Sequence, residues 1–561
     1  MNLTLVVSLN WLDVVATRSD LDSPVVDVID PGFSDHRLLQ WISRLDRPSP
    51  VYRTNIGRPW RSIDTNDFTS LLCQSVISGS CSSVFTDPAV SVDELCELYT
   101  TDVTNIADSI APSRTTTRRV RRSDPWFDEQ CRAAKRECRQ LERRARRSSA
   151  DDVVRSTWRE KVRAYRILIE RKRTTFWSDK IETLQQEPRQ MWRVIDDLLG
   201  RVNNTACSTS LTADDFSKFF ANKITDIRLS TCCAPDPVYT VAPPQCQLDR
   251  FSCVSESDVL DAIKSLPTKQ CDLDPMPTWL LKANSSSIAR FLTELFNKSL
   301  STGDVPLYLK SAYIIPRLKK PDLDDNEARN YRPISNLPVL AKPLERLVAK
   351  QLLAYLKLHG LLPQLQSAYR TAHSTETALL KITSDILSAL DKGDLVALTL
   401  LDLSAAFDTV DYNIVLRRMR ESYGISGVAL NWFQSYLVGR KHHVRYGDCC
   451  SETIFVDYGV PQGSVLGPIL FIMYTADLIA LIQHQGLQPH LYADDTQIVG
   501  SCRPTSPDTT LRHRIETCIA DIANWMSSNR LQQNTSKSEV MWCSTSRRRH
   551  SIPSDLFICR L

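Results

Sequence analysis

Residues 396–403 read Val-Ala-Leu-Thr-Leu-Leu-Asp-Leu, an almost wholly apolar run of the kind that forms a strand buried on both faces, with Asp402 at its end. A carboxylate there needs a reason, because burying an unpaired charge is costly. A second strand-like stretch, residues 491–499, is interrupted by the adjacent carboxylates Asp494 and Asp495 and predicts a hairpin. Asp494 lies 92 residues beyond Asp402. If the two strands are neighbours in one sheet, the carboxylates converge and repel, and a divalent cation or two between them is the physical solution. Two hard cations about 4 Å apart are the apparatus of phosphoryl transfer.

The rest of the chain is organised by charge and by turn-forming residues. Its 561 residues allow three to four domains at roughly 150 residues each. The formal net charge of +4 hides an asymmetry: residues 114–173 hold 21 Lys/Arg and 9 Asp/Glu, a local +12, which leaves −8 for everything else. Pro125, after Ser123 and Asp124, is placed to open a first basic helix, and residues 151–184 predict a second that carries Trp158, Tyr165, Phe176 and Trp177. Arg-rich helices with interleaved aromatics suit phosphate contact, while a solvated helical linker is the competing reading. Residues 201–250, with Pro235, Pro237, Pro243 and Pro244, read as an irregular linker. Ser255 and Asp258 then fit the N-terminal cap of a helix whose apolar positions are Val259, Ile263 and Leu266.

Seventeen cysteines are scattered or adjacent, without zinc-type spacing, and point to reduced thiols inside the cell, in nucleus or cytoplasm. No secretory leader is expected. No membrane span is expected either, because the longest uncharged stretch, residues 458–476, contains Pro461, Gly463, Gly467 and Pro468.

Taken in order, Leu401-Asp-Leu-Ser-Ala-Ala-Phe-Asp408, Gly459-Val-Pro-Gln-Gly-Ser-Val-Leu-Gly-Pro468 and Tyr492-Ala-Asp-Asp495 closely resemble motifs A, B and C of the reverse transcriptases of non-LTR retrotransposons of the jockey type. Asn330-Tyr-Arg-Pro-Ile-Ser335, Gln366-Ser-Ala-Tyr-Arg370 with His373-Ser-Thr375, and Asn529-Arg-Leu-Gln-Gln-Asn-Thr-Ser-Lys537 extend the resemblance over roughly residues 255–545. It implies RNA-templated DNA synthesis with dNTPs, on a DNA primer or target, by two Mg²⁺ or Mn²⁺ ions held by Asp402 and Asp494. Asp495 and the Leu403 carbonyl would support them. Phe407 would exclude a 2′-OH, Gln462 and Gly463 would sit beside the nascent base pair, and Lys537 would protonate the leaving pyrophosphate. Lys319, Arg332 and Arg370 would contact triphosphate or template.

Trp11-Leu-Asp-Val-Val-Ala16 and Phe33-Ser-Asp-His-Arg37 resemble the last two motifs of an apurinic-type endonuclease domain, in which Asp13 would orient His36 and Asp35 would lie near a metal. The expected architecture is therefore α/β (α+β). It comprises an endonuclease β-sandwich remnant (1–45), a connector (46–113), a basic helical linker (114–200), an irregular linker (201–254), fingers and palm (255–545) and a basic tail (546–561) without a thumb. The alternative function is a catalytically weak or silent nucleic-acid-binding remnant of such an element. The sequence leaves the oligomeric state open.

Overall fold

The computed structural model describes residues 52–78, 87, 89–119, 124–146, 152–184, 191–192, 195, 209–268, 271–320, 323–447, 449–503 and 508–552, with four strand backbones before them. Asp13, Asp35 and His36 lie outside the described residues. The chain divides into two units, residues 1–57 with 114–195, and residues 58–113 with 196–561.

In the first unit, β1 (Leu3–Val7) pairs antiparallel with β2 (Val14–Arg18), β3 (Val26–Ile29) with β4 (Leu38–Trp41), and β5 (Tyr52–Gly57) with β6 (Arg114–Arg119). The basic segment then forms two packed helices, Glu129–Ala145 and Asp152–Thr183. Cys131, Cys138 and Ala145 are buried at seven-residue spacing, the narrow seam of a helix pair. Lys161 pairs with Glu137 at 2.8 Å and Lys172 with Asp128 at 2.6 Å. The first helix begins later than Pro125 suggests. Asp128 accepts the Cys131 N–H and caps it, and this cap displaces the start past the proline.

The second unit corrects two boundaries. Residues 58–113 are not a connector: the helices Thr65–Gln74 and Val92–Ile110 bury Phe68, Leu72, Leu95, Tyr99 and Val103 in the main hydrophobic core. Tyr99 stacks on Phe291 of the helix Ser285–Thr302 at 6.4 Å. The signals are a Ser91/Glu94 capping box and an apolar stripe at helical spacing. Residues 201–254 are likewise not simply irregular, since Ala213–Thr231 is a helix capped reciprocally by Thr212 and Asp215. Its Phe216 is fully buried against Tyr331 and Tyr446, with ring centroids 4.7 and 4.8 Å away. The Ser255/Asp258 capping box opens the helix Glu256–Lys264 as the sequence indicates.

Two sheets frame the site. One contains β7 (Ser311–Leu318), β8 (Tyr331–Asn336), β10 (Arg440–Tyr446), β11 (Cys449–Cys450) and β12 (Ile454–Val456), with β10 parallel to β7 and the other pairings antiparallel. The other is antiparallel and contains β9 (Leu395–Leu401), β13 (Gln488–Tyr492), β14 (Asp495–Cys502) and β15 (Glu539–Cys543), in the order β13-β14-β9-β15. The helix Leu466–Thr475 packs against the helices Ala341–Leu358 and Tyr412–Tyr423, and Pro468 falls in its first turn, where the missing N–H breaks no bond. With Asp477–His484 it makes one stretch, residues 466–484, long and apolar enough to cross a membrane, at a mean hydropathy of 1.7. That stretch is 61% buried within the unit, and the burial is concentrated in Leu466–Thr475, where every residue but Pro468 is buried and a helix buried nearly all round is apolar nearly all round.

In the segment before the helix Thr278–Ala283, burial pushes the Asp274 carboxyl up to about 7, against the opposing pull of the Val339 and Cys271 backbone N–H groups. The ordinary value is 3.8, so between these two pH values the folded state holds the proton more tightly. Stability is therefore gained as pH falls through 7 and lost as it rises. Asp274→Asn keeps an acceptor for Val339 and removes the charge. We expect it to stabilise the chain at pH 8 by about 2–4 kcal/mol and to change little at pH 4, measured by denaturant unfolding at both pH values. A variant no more stable than the parent at pH 8 would refute the assignment.

Candidate active site

Asp402 is the residue at which the central strand β9 leaves its sheet. Leu401 pairs with Thr496, so the antiparallel register sets Asp402 opposite Asp495 and beside Asp494, which occupies the turn between β13 and β14. That turn is tight: Ala493 has φ +55°, a left-handed conformation that costs a residue with a Cβ. The other flank of Asp402 is closed by the segment entering β15. Asn534 donates its side-chain amide to Asp402 Oδ2 at 2.7 Å and its backbone N–H to the Asp402 carbonyl at 2.9 Å. Lys537 Nζ lies 3.2 Å from the same Oδ2. Leu403 bridges to Gln533 through its neighbours, Ser404 N–H to the Gln532 carbonyl and Asn534 N–H to the Asp402 carbonyl. The bridge does not use the Leu403 carbonyl.

The electrostatics follow from this convergence. Burial, and then the Asp402 charge, raise the Asp494 carboxyl above its ordinary range, while Arg332 and Lys537 oppose the shift. Asp495 is raised by burial and by both neighbouring carboxylates. Facing them is a group of cations: Lys319 is held below its ordinary value by burial, then by the charges of Lys223, Lys537 and Arg332. Its Nζ donates to the Arg329 carbonyl at 2.5 Å.

Next to the carboxylates, the half-buried Phe407 ring meets Phe471 at 4.7 Å between centroids. Gln462 is fixed at both ends. Its carbonyl accepts the Ser335 N–H at 3.0 Å, and its side-chain amide donates to both Asp408 oxygens at 3.0 and 2.9 Å. Asp408 also lines a largely apolar cavity of about 100 Å³ walled by Phe219, Phe220, Ile314, Tyr331 and Val456. Burial pushes its carboxyl up to about 6. Gly463 has φ +116°, and a Cβ there would meet the Ser335 carbonyl at 3.0 Å.

Among the described residues no group of three or more His, Cys, Asp or Glu is gathered to hold a metal by itself. Two converging carboxylates, one of which is raised by the charge of the other, fit a Mg²⁺-type ion nonetheless. Such an ion takes one or two carboxylates and completes its shell with water and substrate phosphates.

Residues 318–550 match the family model described as reverse transcriptase (RNA-dependent DNA polymerase). This segment is similar to reverse transcriptase domains. The chain is 31% identical over 250 residues to a probable RNA-directed DNA polymerase from transposon BS of Drosophila melanogaster, covering 44% of this chain and 27% of that protein. It is 28% identical over 281 residues to the corresponding protein of transposon X-element from the same species, covering 49% and 30%. The RNA-directed DNA polymerase from mobile element jockey of Drosophila funebris is 28% identical over 283 residues, covering 49% and 31%. The chain thus spans about a third or less of the length of these curated relatives.

Within the matched segment, Asp402, Asp494, Asp495, Lys537, Lys319 and Arg332 come together, with Leu403, Phe407, Gln462 and Gly463 on the adjoining segments. Arg370 does not join the cations. Its Nη1 donates to the carbonyls of Pro363, Gln364 and Gln366 at 3.1, 3.0 and 3.3 Å, so it shapes a loop instead. Four contributors carry no sequence-level assignment. Asn534, Asp408 and Gln366 stand inside motif strings without an assigned role, Lys223 stands in a stretch read as linker, and the buried contacts of Gln366 are visible only once the chain is folded.

Proposed function

We propose that this chain is an RNA-directed DNA polymerase of a non-LTR retrotransposon, extending a primer 3′-OH with dNTPs on an RNA template. The observation that carries the reading is the convergence of Asp402 and Asp494 at the ends of neighbouring antiparallel strands inside the matched segment. These two residues would hold Mg²⁺ or Mn²⁺, which offsets charge on the attacking and leaving oxygens of an in-line displacement. Lys319, Arg332 and Lys223 supply positive charge where a triphosphate would lie. Lys537, on Asp402 and exposed, is placed to give a proton to a departing phosphate. Gln462, braced by Asp408 and Ser335, presents a fixed surface to the base pair. The basic helix pair serves as an RNA-holding element, and the motifs around Asp13 and His36 support an endonuclease-type segment in the first 45 residues. Such a template and such substrates place the activity inside the cell.

Primer extension by the full chain on an RNA template, with dNTPs and Mg²⁺, tests the reading, and absence of any extension under these conditions would refute it. A variant refines it. The Phe407 ring is held by Phe471, so it is a rigid wall rather than a mobile side chain. Phe407→Val should raise the use of rNTPs relative to dNTPs by about 10- to 100-fold, the scale on which pocket volume discriminates. An unchanged ratio in an active variant would return Phe407 to a packing role.

A further inference from the structure

We infer that Gln366 is a positioning residue for the metal-binding carboxylates: its side-chain amide locks the strained turn that aims Asp494 at Asp402. The inference rests on the polymerase reading above and deepens it.

The Asp494 turn holds neither glycine nor asparagine at its strained position. Ala493 holds φ +55° without being glycine, a conformation that persists only where the surroundings over-determine it. Gln366 supplies that determination from another part of the chain. Its Oε1 accepts the Ala493 N–H at 3.0 Å, and its Nε2 donates to the Ala493 carbonyl at 3.2 Å, so both faces of the residue before Asp494 are tied to one side chain. The same Oε1 accepts the Ala368 N–H at 3.0 Å. With 1% exposure, Gln366 exchanges none of these bonds with solvent, and each lies where a lost partner is costly.

The clamp is itself held. Ser367 donates to the Leu491 carbonyl and Leu491 to the Leu365 carbonyl, both at 2.9 Å, which lays the 365–367 segment along the free edge of β13. Arg370 then ties the carbonyls of Pro363, Gln364 and Gln366 together, which accounts for its absence from the cation group. Side-chain amide, edge pairing and guanidinium together form a brace outside the catalytic strands. A displacement of about 1 Å at a reacting group can cost on the order of 100-fold in rate, so such a brace has a kinetic consequence.

The test uses the full chain and two readouts. Gln366→Ala should lower kcat for dNTP incorporation 30- to 100-fold, leave KM for dNTP within twofold, and raise the Mg²⁺ concentration for half-maximal activity about fivefold or more. Mn²⁺ binding without nucleotide, followed by electron paramagnetic resonance, should weaken by a similar factor. Gln366→Glu keeps the acceptor and loses the donor, so it should fall between the parent and Gln366→Ala. If Gln366→Ala fails to fold, this second variant decides by the same measurements. Ala493→Gly relaxes the turn, and in that background Gln366→Ala should cost at least fivefold less. Parental kcat and parental Mn²⁺ affinity in a folded Gln366 variant would overturn the inference, as would a loss confined to thermal stability. Should the parent chain itself extend no primer, the polymerase reading fails, and Mn²⁺ binding still decides the role of Gln366.

Discussion

Asp402→Asn and Asp494→Asn should each reduce dNTP incorporation on a homopolymer template by on the order of a thousandfold or more, while leaving the chain as stable as before or more stable. The two halves of this expectation come from one cause. Asp494 is raised by burial and by the charge of Asp402, so in the folded chain the two carboxylates are held against their mutual repulsion. Asparagine preserves the shape and an acceptor oxygen, and it removes the repulsion together with the ability to bind a divalent ion. A site kept for packing would behave in the opposite way, with activity following stability. Lost incorporation with an unchanged or raised melting temperature thus separates a functional strain from a structural one. Wild-type incorporation by folded Asp494→Asn would end the assignment of the metal site.

What could be read from the sequence divides along physical lines. The β9 run and the β13–β14 hairpin announce themselves, because a buried strand must be apolar and a carboxylate interrupting it is conspicuous. The Ser255 capping box was equally legible, being a local hydrogen-bond pattern between residues three apart. Residues 58–113 read as part of a connector, although Val92, Leu95, Tyr99 and Val103 follow helical spacing, because the partner that buries them, Ser285–Thr302, lies some two hundred residues away. Helix Ala213–Thr231 was obscured in the same way by the prolines that follow it. Arg370 shows the limit of residue type: a guanidinium can bind phosphate or carbonyl oxygens, and only the folded loop selects the carbonyls of Pro363, Gln364 and Gln366. Gln366 and Lys223 act across long sequence separations on residues that periodicity does not connect to them.

Binding of single-stranded RNA by the full chain should weaken about a thousandfold between 50 and 200 mM salt, and the basic helix pair should account for most of that slope. The structure separates its charges into two sets. Arg132, Arg136, Arg146, Arg155, Arg173, Lys161 and Lys172 pair with carboxylates of the same two helices and are partly neutralised before any ligand arrives. Arg139, Arg143, Arg144, Arg159, Arg163, Arg166 and Arg171 are exposed, and among the described residues none of them meets a carboxylate. Each phosphate contact to a single strand contributes roughly 0.7 to the slope of log affinity against log salt, so about seven contacts give a slope near −5. Replacing Arg143, Arg144, Arg163 and Arg166 by glutamine removes about four such contacts at little cost in helix propensity. The slope should flatten by about 3, while the KM for dNTP, set at the carboxylate site, stays unchanged. Replacing Arg132, Arg136, Arg146 and Arg173 instead should flatten it much less, because those guanidiniums already have partners. Equal effects of the two sets would mean that the internal ion pairs do not survive in solution, and no effect of either would make these helices a plain solvated linker.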